Sequence, residues 1–369
     1  MRGYASVAVM LFHLGNNIAE ELSRWMPQFI LTGMSFGYVG VPVFFVISGF
    51  AMAASVQHTA ISRRFFGNFV LRRSIRLDPP YWVSIVLGLV LLALKNYQLG
   101  GSQPMPSIGT LVAHVFYVQS FFGVPAKISG VYWTLCQEVQ LYLAFILFIW
   151  IAQSLTRKYV SLTAQLTMWI MMAVGVLSLL FDYQLVPRPG VIDLEGQSID
   201  RIDALFFRYW HYFLIGVLAE KFLRRAPWGV QYFVFWMILE IAFRLGCKFE
   251  DTRLIAYTLT AIATGMFLFA AIKLDRLDRW FTDPISQYLG RISYSLYLVH
   301  SDLGWKVISL GKSKLDPNKP LNAILIFTAA IAVAMVVSHI IHWLVEKPAM
   351  RLSNRFKKEW PLWTSAEES

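Results

Sequence analysis

With 369 residues, of which 57% are hydrophobic and only 15% are charged, the chain is too apolar to be a soluble protein of two or three domains. The net charge of +11 is a feature of nucleic-acid-binding proteins. In a membrane protein, however, Lys and Arg collect in cytoplasmic loops and at lipid headgroups, so we expect the bilayer and no nucleic acid as a partner. Two cysteines are too few for a disulfide framework or a cysteine-based metal site.

Long apolar stretches predict about ten transmembrane helices. Their approximate positions are 2–18, 35–56, 80–97, 131–153, 164–182, 207–223, 229–246, 254–273, 285–303 and 321–345. The apolar stretch 109–122 is too short to cross a bilayer, and we interpret it as interfacial or re-entrant. The predicted fold class is all-α, a polytopic transmembrane bundle at 1–350 followed by a short basic cytoplasmic tail at 351–369.

The distribution of basic residues predicts that both ends of the chain face the cytoplasm. In this orientation the first inside loop and the tail are strongly basic, whereas one exterior loop with four lysines breaks the pattern. The inside residues include Arg63, Arg64, Arg72, Arg73, Arg76, Lys347, Arg351, Arg355, Lys357 and Lys358, and the exterior lysines are Lys306, Lys312, Lys314 and Lys319.

The first predicted span, "RGYASVAVMLFH", carries a cation at Arg2 and a titratable base at His13. Ionisable residues inside a span are costly and indicate function by default. Eleven positions separate the two residues, so they share one helix face about 16 Å apart. Arg2 is expected at the cytoplasmic boundary and His13 towards the outer leaflet. The alternative is an arginine that reaches the interface and a histidine hydrogen-bonded to a neighbouring helix.

Five arginines and no lysine lie between the second and third spans, ending in "RRSIRLDPPYW". The charge sign follows from the position of the loop, but the choice of Arg indicates bidentate contacts to phosphate. A phosphate-rich cytoplasmic ligand such as coenzyme A fits this pattern, and so do lipid headgroups. Pro79 and Pro80 are expected to break the chain here and to open the third span.

The stretch "GVYWTLCQEVQLYLAF" places Glu138 inside the fourth span, with Trp133 before it and Tyr142 one helical turn later. A carboxylate at this depth must be paired, protonated or in a water-filled cavity. It is either catalytic or a structural partner for an intramembrane arginine or histidine.

Two later stretches also carry polar groups. "GRISYSLYLVHSDL" contains Tyr297 and His300, which either line a polar cavity or link helices. "HIIHWLVEKPAMR" places His339, His342 and Glu346 at helical spacing, a weak metal signal, and we favour interfacial anchoring and expect no metal.

Six motifs in family order make the chain resemble the acyltransferase-3 family, the bacterial integral-membrane O-acyltransferases. They are "RGYASVAVMLFH", "GVPVFFVISGF", "RRSIRLDPPYW", "WTLCQEVQLYL", "ISYSLYLVH" and "VEKPAM", and they extend to about residue 350. The resemblance is to stand-alone members without a C-terminal hydrolase-like domain. Asp78 departs from the pattern, because the family often has an aromatic residue there.

The resemblance implies a role for each matching residue. His13 corresponds to the catalytic base, Arg2 to its companion arginine, and Arg73 and Arg76 to the pair that handles the acyl donor. Glu138 and Glu346 correspond to two further motif carboxylates, the second with a structural or functional role. Apart from the resemblance, our mechanistic hypothesis adds Arg72 and Arg2 to the donor-binding set, and in it Glu138 orients or charge-balances His13 or His300. The expected acceptor cavity comprises Trp133, Tyr142, Tyr297 and His300.

The predicted function is therefore transfer of an acetyl or other short acyl group from cytoplasmic acyl-CoA to a hydroxyl of a glycan or similar acceptor. The acceptor is expected on the outer side of the bacterial inner membrane. Acyl-CoA is a co-substrate, and no permanently bound cofactor is expected. The alternative is a transporter or flippase of lipid-linked glycans, which would share the spans, the buried charges and the arginine-rich inner loops.

Overall fold

A computed structural model describes residues 1–56, 59–99, 104–122, 128–156, 160–186, 190–192, 198–200, 205–223, 228–246, 251–276 and 279–358. These residues form a helical bundle. Its helices are α1 (Arg2–Asn17), α2 (Ala19–Ser23), α3 (Gln28–Ser35), α4 (Gly40–Val56), α5 (Arg63–Leu99), α6 (Ile108–Val115), α7 (Tyr132–Leu155), α8 (Val160–Asp182), α9 (Trp210–Leu223), α10 (Gly229–Gly246), α11 (Thr252–Lys273), α12 (Pro284–Lys314), α13 (Pro320–Ile341) and α14 (Lys347–Arg355).

The bundle confirms the all-α fold class with one small addition. Strands β1 (Gly190–Ile192) and β2 (Ser198–Asp200) pair antiparallel between α8 and α9. The apolar stretch at 109–122 forms α6 and a 3₁₀ turn (Gln119–Phe122), so it is broken into two short pieces.

Each of the ten predicted spans overlaps mainly with one helix, although the spans 35–56, 207–223 and 321–345 also include neighbouring turns. Within the described residues, seven helical segments are long and apolar enough to cross a membrane, which makes this a multi-pass membrane protein. The other three predicted spans fall on α1 and α9, which have 16 and 14 residues, and on α12, which carries charged side chains. The count of ten and the inward orientation of both ends remain predictions.

Helix α5 contradicts the expected break at Pro79 and Pro80, because it runs without interruption through both prolines for 37 residues. Prolines remove backbone donors, but neighbouring helices can compensate inside a bundle. Next to these prolines the hydroxyl of Tyr294 donates to the carbonyl of Leu77 at 2.9 Å. The buried ring of Tyr81 stacks on Tyr117 and packs edge to face on Tyr132, so other helices pack closely on α5 at this point. The arginines predicted to lie in a loop therefore lie on the first half of a helix about 55 Å long.

Two close helix pairs build the centre of the bundle. Helix α1 runs parallel to α12, with the hydroxyl of Ser6 donating to the carbonyl of Ser293 at 2.9 Å. Helices α4 and α9 cross at Gly49 and Gly216, where a Cβ atom on either glycine would collide with the backbone of the other helix. Such small residues allow close helix approach in membranes. Helices α1, α4, α7 and α12 thereby enclose a common central space.

The C-terminal segment folds back onto α5. After α13, a π-helical turn (His342–Glu346) leads directly into α14, so the helix continues past the predicted domain boundary at 350. The hydroxyl of Ser353 donates to the carbonyl of Arg72 at 2.9 Å, and the amide of Asn68 donates to the carbonyl of Phe356 at 3.1 Å. The rest of the predicted tail, 359–369, lies outside the described residues.

Candidate active site

Glu138 is the centre of a hydrogen-bonded cluster between α1, α4 and α7. Its Oε1 atom lies 3.3 Å from Nη2 of Arg2 and accepts a hydrogen bond of 2.8 Å from the hydroxyl of Ser48. The hydroxyl of Tyr142 donates to the same oxygen. An arginine and two hydroxyls thus compensate a carboxylate that would otherwise be costly inside a bundle.

Arg2 lies level with the middle of α4. Its partner Glu138 also binds Ser48, which lies eight residues, or about 12 Å, before the end of α4 at Val56. The ion pair of Arg2 and Glu138 satisfies both charges inside the bundle. That Arg2 lies at the cytoplasmic boundary of the membrane remains a prediction.

Two of the three predicted donor-binding arginines on α5 join this cluster. The guanidinium of Arg73 lies 4.1 Å from the ring centroid of Tyr142, a cation–π geometry. Arg76 is exposed and lies within electrostatic reach of Arg2 and Arg73. Arg72 contributes its backbone carbonyl to Ser353, and its buried Nε has no hydrogen-bond partner in the described part of the chain, so the contacts do not bring it into the cluster.

Glu346 approaches the same cluster from the π-helical turn. Its Oε2 accepts a hydrogen bond of 2.6 Å from Ser295 and lies 3.0 Å from Nδ1 of His342. Glu346 also acts electrostatically on Arg2 and Arg76. The cluster therefore combines three guanidinium groups with two carboxylates and carries one net positive charge. His339 lies apart from it, with its ring 5.8 Å from that of Tyr288.

A cavity of about 30 Å³ begins at Arg2 and Glu138 and extends between α1, α4, α7 and α12. It is lined by Arg2, Val41, Phe44, Phe45, Ser48, Thr134, Leu135, Glu138, Ser293, Tyr294 and Tyr297. The room suits one or a few water molecules and is far smaller than a typical ligand pocket.

The predicted acceptor residues divide around this cavity. Tyr297 lines it, with its hydroxyl 2.7 Å from that of Thr134. Trp133 does not line it, because the indole packs 5.4 Å from the ring of Tyr209. Tyr142 lies behind Glu138 and Ser48, and His300 lies beyond Tyr297, at a ring distance of 5.8 Å.

His13 and His300 form a direct pair at the other end of the site. Nδ1 of His13 lies 3.0 Å from Nε2 of His300. The same Nδ1 lies 3.1 Å from the carbonyl oxygen of Val9, and Nδ1 of His300 lies 2.9 Å from that of Leu296. His300 is fully buried, whereas His13 is half-buried.

Glu138 does not orient either histidine, contrary to expectation. Its contacts are with Arg2, Ser48 and Tyr142. The reason is distance along α1: Glu138 faces the Arg2 end, and His13 lies about 16 Å further along the helix.

A second buried charge cluster joins α8, α9 and α10 and was missed from the sequence. His211 lies 2.9 Å from Glu240 through Nδ1 and 3.3 Å from Asp182 through Nε2, and all three side chains are almost completely buried. Arg208 donates to Asp182 at 3.1 Å, and the indole of Trp236 donates to Glu240 at 3.1 Å. The available signal was the presence of Asp182, His211 and Glu240 in three successive predicted spans.

Comparisons with known proteins agree with the motifs. The model of the acyltransferase-3 family, described as an acyltransferase domain, matches residues 1–343. The chain is 24% identical over 380 residues to acyltransferase MdmB of Streptomyces mycarofaciens, with 96% of this chain and 91% of that protein covered. It is 23% identical over 370 residues to the putative peptidoglycan O-acetyltransferase YrhL of Bacillus subtilis (strain 168), where 94% of this chain spans only 54% of the relative. No solved structure matches the chain.

Proposed function

The chain belongs to the acyltransferase-3 family and is a membrane O-acyltransferase, and from this premise we propose that it transfers an acetyl or other short acyl group from acyl-CoA to a hydroxyl of a glycan or related acceptor. One observation carries the proposal. A cavity is lined by Arg2 and Glu138 of the cationic cluster and by Tyr297, whose ring lies 5.8 Å from that of His300, the partner of His13.

The cationic cluster supplies the donor site. The cluster has one more guanidinium group, among Arg2, Arg73 and Arg76, than it has carboxylates. Because Arg76 is also exposed, the cluster can accept the phosphates of coenzyme A. With the first half of α5 on the cytoplasmic side, these phosphates come from the compartment in which acyl-CoA is made. The acyl thioester then extends along the cavity towards Tyr297 and His13.

The chemistry belongs to His13. The acceptor hydroxyl gives its proton to the imidazole as its oxygen attacks the thioester carbonyl carbon. The carbon–sulfur bond then breaks, and the thiolate of coenzyme A takes the proton from the imidazolium. His13 is thereby returned to its neutral form, and the products are an O-acyl ester and free coenzyme A.

The narrow cavity requires movement before the acyl group can reach His13. About 30 Å³ does not hold a thioester, so the side chains of Phe44 and Tyr297, which pack edge to face at 5.2 Å, must separate. Excluding water until the donor arrives protects the thioester from hydrolysis.

The acceptor side faces the outer leaflet in this proposal, at the membrane of a bacterial cell. The name of the Bacillus relative, a putative peptidoglycan O-acetyltransferase, supports a hydroxyl-bearing polymer outside the membrane as the acceptor class.

The test uses the full-length protein in proteoliposomes, acetyl-CoA labelled in the acetyl group, and a soluble oligosaccharide mixture. We expect labelled ester to form and His13→Ala to lower the rate about 100- to 10,000-fold, the usual contribution of a general base. His339→Ala is the matched control, since His339 is exposed and contacts Tyr288 instead of the site. Undiminished transfer by folded His13→Ala protein would overturn the assignment. Folded wild-type protein that neither hydrolyses nor transfers the label would favour the transporter alternative.

A further inference from the structure

We propose that His300 is the positioning residue for His13, which it holds in the one neutral tautomer that can act as a base towards the cavity and the acceptor. This inference rests on the proposed function, because it assigns a role within the same site. It gives an imidazole the orienting role that a carboxylate has in most histidine-based sites.

The hydrogen-bond pattern determines the protonation of His300. A backbone carbonyl oxygen can only accept, and that of Leu296 lies 2.9 Å from Nδ1 of His300. Nδ1 of His300 therefore carries the proton. In a neutral imidazole the other nitrogen is then an acceptor, so Nε2 of His300 presents a lone pair.

The same reasoning fixes His13. Its Nδ1 lies between two acceptors, Nε2 of His300 at 3.0 Å and the carbonyl oxygen of Val9 at 3.1 Å. Two acceptors facing one nitrogen require that this nitrogen carries the proton. Nε2 of His13 is then unprotonated, and within the described part of the chain it makes no hydrogen bond, so it is available to the acceptor hydroxyl.

A neutral partner differs from a carboxylate in its effect. It fixes the tautomer and the ring orientation of His13 without placing a full negative charge beside it. When His13 becomes an imidazolium, its Nδ1–H continues to donate to Nε2 of His300, and no proton passes to His300. Besides each other, the hydrogen-bond and ring partners of the two imidazoles within the described residues are Val9, Phe12, Leu296 and Tyr297, none of which carries a charge near neutral pH.

The packing of α1 on α12 makes this pairing rigid. The two helices run parallel, with Ser6 bonded to Ser293 two turns before the histidines. His300 itself is fully buried, so its ring has little freedom to turn. The amide of Asn17 also donates to the carbonyl of His13 at 2.8 Å, which holds the end of α1 in place.

The experiment compares His300→Leu with His300→Gln in the full-length protein, using kinetics and ¹⁵N NMR of labelled histidines. Leu removes the acceptor, and we expect kcat to fall about tenfold to a hundredfold while KM for acetyl-CoA changes little, because part of the general-base contribution is lost. The Gln side-chain oxygen can replace Nε2 of His300, and it should restore most of kcat. The matched control is His114→Leu, another buried histidine, whose ring lies 6.0 Å from that of Tyr132 and outside the His13 contacts.

The NMR measurement does not depend on activity. His13, assigned through the signals lost in His13→Gln, should show an unprotonated Nε2 in the wild type and a mixture of tautomers in His300→Leu. If wild-type His13 carries its proton on Nε2, or if His300→Leu keeps both its kcat and its tautomer, the inference is overturned. An inactive wild type would instead refute the proposed function, and the tautomer would still decide the role of His300. Should His300→Leu fail to fold, the wild-type spectrum and His300→Gln decide it.

Discussion

The two charge clusters of the bundle differ in exposure and in balance. The Glu138 cluster borders a cavity, includes the exposed Arg76, and holds three guanidinium groups against two carboxylates. The Asp182, His211 and Glu240 side chains are almost completely buried, and the two carboxylates face one partly exposed arginine, Arg208, and one imidazole that can balance them. An open cluster with excess charge is available to an ionic ligand, whereas a buried and balanced one is suited to holding helices together. We therefore propose that the first cluster is functional and the second structural.

The largest expected effect is a loss of stability when the Asp182–His211–Glu240 cluster is broken. Glu240→Ala removes the partner of His211 and Trp236 and leaves a buried charge without compensation, which costs about 3–5 kcal/mol of unfolding free energy. Thermal unfolding in detergent measures the loss, and Glu240→Gln, which keeps a hydrogen-bonding side chain, is the milder control. Molecules that remain folded should transfer acyl groups at the wild-type rate. A stable Glu240→Ala protein with lowered kcat would reverse the roles of the two clusters.

The next effect is on the open cluster and concerns donor binding. Arg73→Ala should raise KM for acyl-CoA about 10- to 100-fold, because a hydrogen bond to a charged group contributes about 1.5–3 kcal/mol. Arg73→Lys keeps the charge but loses the planar guanidinium group. Its KM for acyl-CoA should therefore lie between those of the wild type and Arg73→Ala. The unfolding temperature should hardly change, in contrast with Glu240→Ala.

The control for this series is Arg64→Ala, an exposed arginine on the same helix. Steady-state kinetics with varied acyl-CoA separates KM from kcat. Equal increases of KM in the Arg64 and Arg73 variants would mean that the helix attracts the donor only through its total charge.

The smallest expected effect is on stability and concerns an exposed carboxylate outside both charge clusters. Asp283 precedes α12, and its pKa lies below the ordinary value because the side chain and backbone of Ser286 donate hydrogen bonds to it. Because the pKa of Asp283 is lower in the folded state than in the unfolded state, its ionised carboxylate stabilises the fold at pH values above the unfolded-state pKa. This stabilisation is lost as the pH falls through the folded-state pKa. The stability difference between wild type and Asp283→Asn should therefore narrow below about pH 4. Unfolding temperatures at pH 3 to 6 measure it, and a constant difference would contradict the role of the charge.

Much of the fold was predictable because apolar stretches of spanning length identify membrane helices whatever their partners. The same logic found Arg2, His13 and Glu138, since each is an ionisable residue in an apolar segment. Their pairing was not predictable, because Glu138 could meet Arg2 or a histidine until the packing of α1 on α7 was known. The Asp182–His211–Glu240 cluster depends likewise on three helices meeting.

The prolines of α5 also show that contacts between helices cannot be predicted from local sequence. Local rules predict a break at Pro79 and Pro80, yet the helix continues, with Tyr294 bonded to the carbonyl of Leu77 and aromatic rings packed around Tyr81 beside the prolines. These contacts come from residues more than thirty positions away along the chain, and no local pattern contains them.

The π-helical turn at His342–Glu346 has a consequence for insertions and deletions. A π turn accommodates one more residue than an α-helical turn, and each residue of an α-helix rotates the chain by about 100°. Deleting one residue here would restore an uninterrupted α-helix and, because the π turn absorbs the extra residue, would leave α14 facing α5 nearly as before. Deleting a residue from the α-helical part of α13 would instead turn α14 by about 100°. Ser353 would then leave Arg72, and the last helix would lose its place on α5. The π turn is therefore a position where the chain length can change by one residue while the last helix keeps its register.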